Sequence, residues 1–330
     1  MTVDTKIFAS LHAHSTHSDG IYTPAELVQV GFDEGYGALV LTDHDTVSGN
    51  GEMMDACKRV GLECMPGIEF STNFEPAQYG LHVTAFHFDP EYPQMKEYLF
   101  RLSKKETDQT RILFERGVDI GYIQCITWDE VLAYNAGITW LCNEHVFRAM
   151  KAKGLITDLE YRDFFNTCYG KYRAEVQTDI EFMDVDQLID LVHRAGGIAI
   201  AAHPVAPYGS LESIPTLVEY GIDGLEVWHS LLTGKQRRQA LALAMEYDLY
   251  VSGGADHEGL LGGQYRRFKN PEETKYYFPP LSLGTTRYFY EEIRDKQKKA
   301  DRRQVMTQML DDDSLWITNG GILDRPEAVL

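Results

Sequence analysis

Two histidines separated by one residue, His12 and His14, close the apolar run IFASL. On a strand that spacing puts both imidazoles on one face, where they can reach a single metal ion. Asp19-Gly20 follows in a turn, and the next apolar run, ALVLT, ends in Asp43-His44-Asp45. Glu69 lies near the end of a third such run, two residues after Gly67, whose missing side chain permits close backbone approach. His82 sits on a fourth, and His145 lies in a helical stretch further on. His203-Pro204 closes IAIAAHP, and Asp256-His257-Glu258 closes VSGGADHEG. A single ionisable group at a strand end can be a hydrogen-bonded core residue. Repetition on consecutive strands points to shared chemistry, because buried ionisable groups are costly unless satisfied. Oxygen and nitrogen donors without cysteine suit Mn, Fe or Zn. Their number exceeds what one ion can use, so two or three divalent ions are expected.

These residues need elements to hold them. Up to residue 91 strand and helix alternate. Thr23-Pro24 starts a helix with proline in its first turn, MMDACKRVG is helical, and the ionisable residues fall late in apolar strands or at alternate positions within them. Active sites of α/β barrels gather at that end of the strands. From 92 to 171 helical segments follow one another without clear strands, which predicts a helical insert. The strand–helix rhythm returns over 172–263. The expected organisation is thus a discontinuous α/β domain (1–91 and 172–263), an insert (92–171) and a C-terminal extension (264–330) in which no chemistry is read.

Composition narrows the function classes. The 330 residues carry 31 Lys+Arg against 50 Asp+Glu, a net charge of −19. Such a surface repels long polyanions and argues against stable duplex nucleic-acid binding, but metal ions can still draw a small anion into one pocket. No signal peptide or membrane span is read, and five scattered cysteines suit reduced thiols; a cytoplasmic protein is expected. Oligomeric state leaves no mark in the sequence.

The ordered motifs HAHSTHSDG, LTDHD, GIEFS, His82, His145 before an Arg-containing helix, AAHP and GADHEG resemble the polymerase-and-histidinol-phosphatase (PHP) superfamily. Within it they are most similar to the stand-alone branch of nucleoside 3′,5′-bisphosphate phosphatases and 5′-to-3′ exoribonucleases. The resemblance spans about residues 7–260. It implies a distorted (β/α)7 barrel with a small helical insert, a trinuclear metal site, and hydrolysis of a small phosphorylated substrate, a nucleotide or short oligonucleotide. Carried over, it makes His12 and His14 paired ligands, Asp19 and His44 ligands of a second metal, and Glu69 a bridging carboxylate. His82 and His145 would complete a third site, with Asp256 the late aspartate. It aims His203 at the substrate phosphate, with Arg148 and Lys171 as phosphate-binding cations.

This chain departs from the pattern twice. CNEH precedes the helix where the branch has Gly-Arg-Pro-His, and Asp256-His257-Glu258 replaces Asp-x-His. Strand alternation puts 256 and 258 on one face and favours Glu258 as the ligand; a bulge would turn His257 inward instead. Other candidates carry plainer expectations. His17 is solvated or supports a ligand, His87 is structural, and His193 and His229 are minor candidates for substrate contact. Asp43 and Asp45 are expected to orient His44. GLLGG lacks the G-K-[ST] of a phosphate loop. The competing readings are a histidinol-phosphate-type or other small-molecule phosphatase, a barrel amidohydrolase cleaving C–N bonds, and a non-catalytic metal-binding regulatory module.

Overall fold

The computed structural model describes residues 4–75, 77, 80–176, 180–205, 207–256 and 283–316. The fold is mixed α/β. In one sheet β1 (Ile7–Ser10) lies between β2 (Ala38–Leu39), which is parallel to it, and β8 (Thr285–Thr286), which is antiparallel. A second sheet runs in the order β3 (Gly67–Ser71), β4 (His82–Phe86), β5 (Ile198–Ala201), β6 (Gly224–Trp228) and β7 (Tyr250–Gly253). Within it β5, β6 and β7 are parallel, while β4 is antiparallel to both β3 and β5. The β3–β4 connection, residues 72–81, is shorter than the dozen or so residues that a parallel crossover needs, so the chain must turn back.

The sheets meet at the strand ends that carry the ionisable residues. Glu69 N–H donates to the Asp43 carbonyl (3.2 Å) and Asp45 N–H to the Glu69 carbonyl (2.9 Å). On the other side Leu11 N–H donates to Gly253 O (3.0 Å) and Asp256 N–H to His12 O (2.9 Å). Such close passage needs glycine. A Cβ on Gly254 would lie 2.5 Å from the His12 nitrogen, and one on Gly67 would lie 2.8 Å from Leu41 O.

Local signals explain the helices. α1 (Pro24–Glu34) begins with a capping box, Thr23 accepting from Glu26 N–H and the Glu26 side chain accepting from Thr23 N–H. It ends at Gly35, whose φ of 91° suits a residue without a side chain. α2 (Asn50–Val60), α7 (Val185–Arg194), α8 (Ile214–Glu219) and α9 (Gly234–Glu246) each bury one apolar face, as Val185, Leu188, Ile189 and Val192 of α7 do.

The helical stretch comprises α3 (Pro93–Asp119), α4 (Trp128–Tyr134), α5 (Asn143–Ala152) and the short α6 (Tyr161–Phe164). α3 belongs to two cores. Met95, Tyr98 and Leu102 pack with the large central cluster, while Leu113 and Phe114 join Val146, Phe147, Tyr161 and Phe164 in a separate one. Of the C-terminal extension, α10 (Arg287–Arg294) and α11 (Arg302–Asp311) bury Phe289, Met306 and Met309 in the central core. That stretch serves packing. No helix among the described residues is long and apolar enough to cross a membrane.

Candidate metal centre

Glu69 is 0% exposed and stands at the centre of the site. Its Oε2 faces His12 Nε2 (3.1 Å), His14 Nε2 (3.3 Å) and His44 Nδ1 (3.2 Å), and its Oε1 faces His82 Nδ1 (3.1 Å) and His203 Nε2 (3.0 Å). Asp256 Oδ1 lies 3.1 Å from His14 Nε2 and 3.6 Å from His12 Nε2. Asp19 approaches His14 Nδ1 and His44 Nε2 at 3.6 and 3.7 Å. His12, His14, Glu69 and Asp256 could hold one ion, His14, Asp19 and His44 another, and His44, Glu69 and His82 a third. A position among His203, His229 and Asp256 has the same spacing. His203 and Asp256 take positive φ (26° and 49°), a strained backbone of the kind that clusters at functional sites.

The chemistry of the donors fits metal ions. His12 Nε2, His14 Nε2, His44 Nδ1, Glu69 Oε2, His203 Nδ1 and His229 Nε2 are buried without a hydrogen-bond partner among the described residues. Orphaned polar atoms cost too much to be left so without a reason. Burial disfavours charge on His12, but Glu69, Glu226 and Asp256 outweigh it and hold its pKa well above the ordinary range. His14 is raised in the same way, against burial, by Asp256, Glu69 and Asp19. Burial wins at His44, whose pKa falls to about 4. For Glu69 burial is overcome by His12, His44 and His82, which keep the carboxylate ionised well below its usual range. In the absence of metal the cage is thus held by protons on some of its imidazoles.

Not every residue named from sequence joins this cage. His145 Nδ1 accepts from Cys142 N–H (3.0 Å), and its Nε2 lies 3.1 Å from Thr16 O. With both ring nitrogens on backbone, His145 fastens the start of α5 to the loop 15–20. Burial and the Arg148 charge hold its pKa well below the usual value, so the ring is neutral. Arg148 is also buried, and its terminal nitrogens donate to the carbonyls of Thr16, Ser18 and Gly20. This guanidinium braces the loop that presents Asp19. Lys171 is exposed, its Nζ 5.2 Å from the Tyr172 ring centre. His257 and Glu258 lie outside the described residues.

Asp43 and Asp45 also differ from expectation. Asp43 accepts from Ser15 N–H (2.6 Å), Ser15 Oγ (2.7 Å) and Ser18 Oγ (2.6 Å), so it shapes the loop rather than His44. Asp45 accepts from Ser71 N–H (2.9 Å). His17 contacts Ser48 Oγ (2.7 Å).

Sequence reading passed over Glu226. Its carboxylate accepts from His12 Nδ1 (3.1 and 3.2 Å) and from His203 N–H (2.8 Å). A lone acid inside the apolar strand GLEVW was the available signal, since an unpaired buried charge is expensive. Trp140, stacked on His44 with ring centres 6.2 Å apart, and Tyr208, 4.7 Å from His82 and 5.0 Å from His203, gave no comparable signal.

Known proteins resemble this chain in sequence and in fold. Residues 10–203 match the PHP domain. A 5′-3′ exoribonuclease of Haemophilus influenzae is 32% identical over 255 residues, covering 74% of this chain and 88% of that protein. A phosphoribosyl 1,2-cyclic phosphate 1,2-diphosphodiesterase of Eggerthella lenta is 26% identical over 253 residues, 76% of this chain and 94% of that protein. A solved structure from Bifidobacterium adolescentis, provisionally described as a metal-dependent phosphoesterase, superposes with a TM-score of 0.71 at 26% identity, over 90% of this chain and 99% of that one. With the family match covering more than half of the sequence and the same histidines and carboxylates drawn together around Glu69, this chain belongs to the PHP domain family.

Proposed function

We propose that this protein is a metal-dependent phosphoesterase that hydrolyses a small phosphorylated substrate, a nucleotide or the end of a short oligonucleotide. The observation that carries the reading is Glu69, a buried carboxylate faced by five imidazole nitrogens, with orphaned donor atoms converging around it. The relatives support the substrate class, since two of them are an exoribonuclease and a cyclic-phosphate diesterase. In this reading the two sheets, joined at the site, act as the distorted barrel that the family resemblance implies.

Two or three divalent ions, Mn, Fe or Zn, would be held by His12, His14, Asp19, His44, Glu69, His82 and Asp256. Bound there, such ions supply Lewis acidity and make water nucleophilic at neutral pH. The chain's own residues do the rest. Glu69 ties the ligand histidines together through both oxygens. Glu226 accepts a hydrogen bond from Nδ1–H of His12 and turns its Nε2 lone pair toward the centre, the orientation that raises ligand basicity. His203, beside Glu69, is placed to meet the phosphoryl group or leaving oxygen. Arg148 contributes by holding the Asp19 loop. Free cysteines agree with a reducing, cytoplasmic setting.

The test is a panel assayed with Mn, Fe and Zn: nucleoside 3′,5′-bisphosphates, 5′-phosphorylated short RNA, cyclic phosphodiesters, sugar and amino-alcohol phosphates, and amides. Metal-dependent release of phosphate or nucleotide from at least one phosphoester is expected. Cleavage of amides alone, or of nothing, overturns the reading.

A further inference from the structure

His229 follows the last residue of β6 and is 0% exposed. Its ring is 4.9 Å from that of His203 and 5.6 Å from that of His12, so it belongs to the wall of the cage. Spacing alone would make it another ligand. The second ring nitrogen decides otherwise. Leu231 N–H donates to His229 Nδ1 at 3.1 Å, so the Nδ1 lone pair is committed. A neutral imidazole then carries its proton on Nε2 and has no lone pair there for a metal. His12 is the reverse case, because its Nδ1 meets the Glu226 carboxylate and its Nε2 would offer a lone pair once a metal ion displaced its proton. The backbone at His229 is also pinned, its carbonyl accepting from Arg237 (3.0 Å) and Leu232 N–H (3.2 Å). The turn that sets the tautomer is therefore well held.

The Nε2–H is directed into the site. It lies 3.1 Å from Asp256 Oδ2 without hydrogen-bond alignment and has no other partner among the described residues. Asp256 meanwhile turns Oδ1 toward His14. We propose that His229 is a hydrogen-bond donor to a phosphoryl oxygen of the substrate, and not a metal ligand. This rests on reading the cage as a phosphoester site. A buried, pre-aimed donor stabilises charge on such an oxygen without having to reorganise.

Two substitutions separate the turn from the donor. His229→Asn keeps an acceptor near Nδ1 for Leu231 but has nothing at Nε2; His229→Gln keeps an N–H donor near Nε2. Metal-loaded protein is measured for metal per chain by elemental analysis and for inorganic phosphate affinity by calorimetry. Both variants should keep the metal content of the unaltered protein. The Asn variant should bind phosphate about tenfold or more weakly, and the Gln variant should stay within about threefold. Loss of an ion from either variant makes His229 a ligand and overturns the proposal. It is overturned too by equal phosphate affinity in all three proteins, by equal weakening in both variants, or by no phosphate binding in the unaltered one. Phosphate binding that depends on His229 in a protein that cleaves no phosphoester leaves this inference standing and removes the catalytic reading instead.

Discussion

The strand-end cage and the contact between α5 and the loop 15–20 use the same residue types to different ends. In the cage, histidine nitrogens face carboxylates and several are left without partners. At the α5 contact His145 and Arg148 face backbone carbonyls and amides. A carboxylate-lined nitrogen can exchange its proton for a metal ion, whereas a nitrogen bound to backbone is already committed. A histidine's role is thus set by the partner of its second nitrogen.

The largest effect should come from the centre of the cage. Glu69→Gln removes the charge that five imidazoles share, and should lower phosphoesterase activity by at least about a hundredfold with loss of bound metal. Full metal content by elemental analysis would show that Glu69 is dispensable to binding. Glu226→Gln acts through His12 alone, and a loss of about ten- to a hundredfold in metal affinity is expected by competition with a chelator. An unchanged affinity would mean that the His12–Glu226 contact does not tune the ligand.

The α5 contact should respond in stability first. His145→Ala leaves Cys142 N–H without its acceptor and Thr16 O with Arg148 as its remaining donor, and should cost about 1–3 kcal/mol in denaturant unfolding, with metal content retained. Arg148→Ala strips three carbonyls and should destabilise at least as much, and it should weaken metal binding because the Asp19 loop is loosened. Metal loss with His145→Ala, or an Arg148→Ala protein whose stability and metals are intact but whose substrate affinity falls, would erase the distinction between the regions.

The smallest signal is a pH profile. His12 and His14 have raised pKa values, so their stabilisation is complete below about 6.5 and is lost as pH rises through the folded-state values. Glu69 and Asp256 are depressed, Asp256 by His12 and His14 against its burial. Their contribution is present above about pH 4 and is lost as pH falls through their folded-state values. Chelator-treated protein should therefore melt highest near about pH 6.5, because the lowered His44 and His145 give up stability as pH falls below that value, and added metal should move the optimum upward by displacing protons. A metal-free optimum at alkaline pH would mean that the cage is not held by protons.

Much of this site was legible beforehand. H-x-H on a strand, Asp43-His44-Asp45 after ALVLT and Glu69 after Gly67 are local patterns, and the strand period carries them to one place. Glu226 was missed because one acid in GLEVW has no repeating partner nearby; its meaning depends on His12, 214 positions away. Asp43 was misplaced for a related reason. Adjacency to His44 suggested a contact, but the carboxylate turns to Ser15 and Ser18 instead.

The sequence by itself determined which donors exist, the helix starts such as Thr23-Pro24, and the helical stretch between two strand-rich parts. Those follow from covalent spacing and the periods of strand and helix, which act over a few residues. Long-range packing set the reversal of β4, the bracing of a loop by Arg148, and the different partners of Nδ1 in His12, a carboxylate, and in His229, a backbone amide. The physical reason is that a buried nitrogen takes its protonation state from whatever faces it, and what faces it arrives from distant parts of the chain.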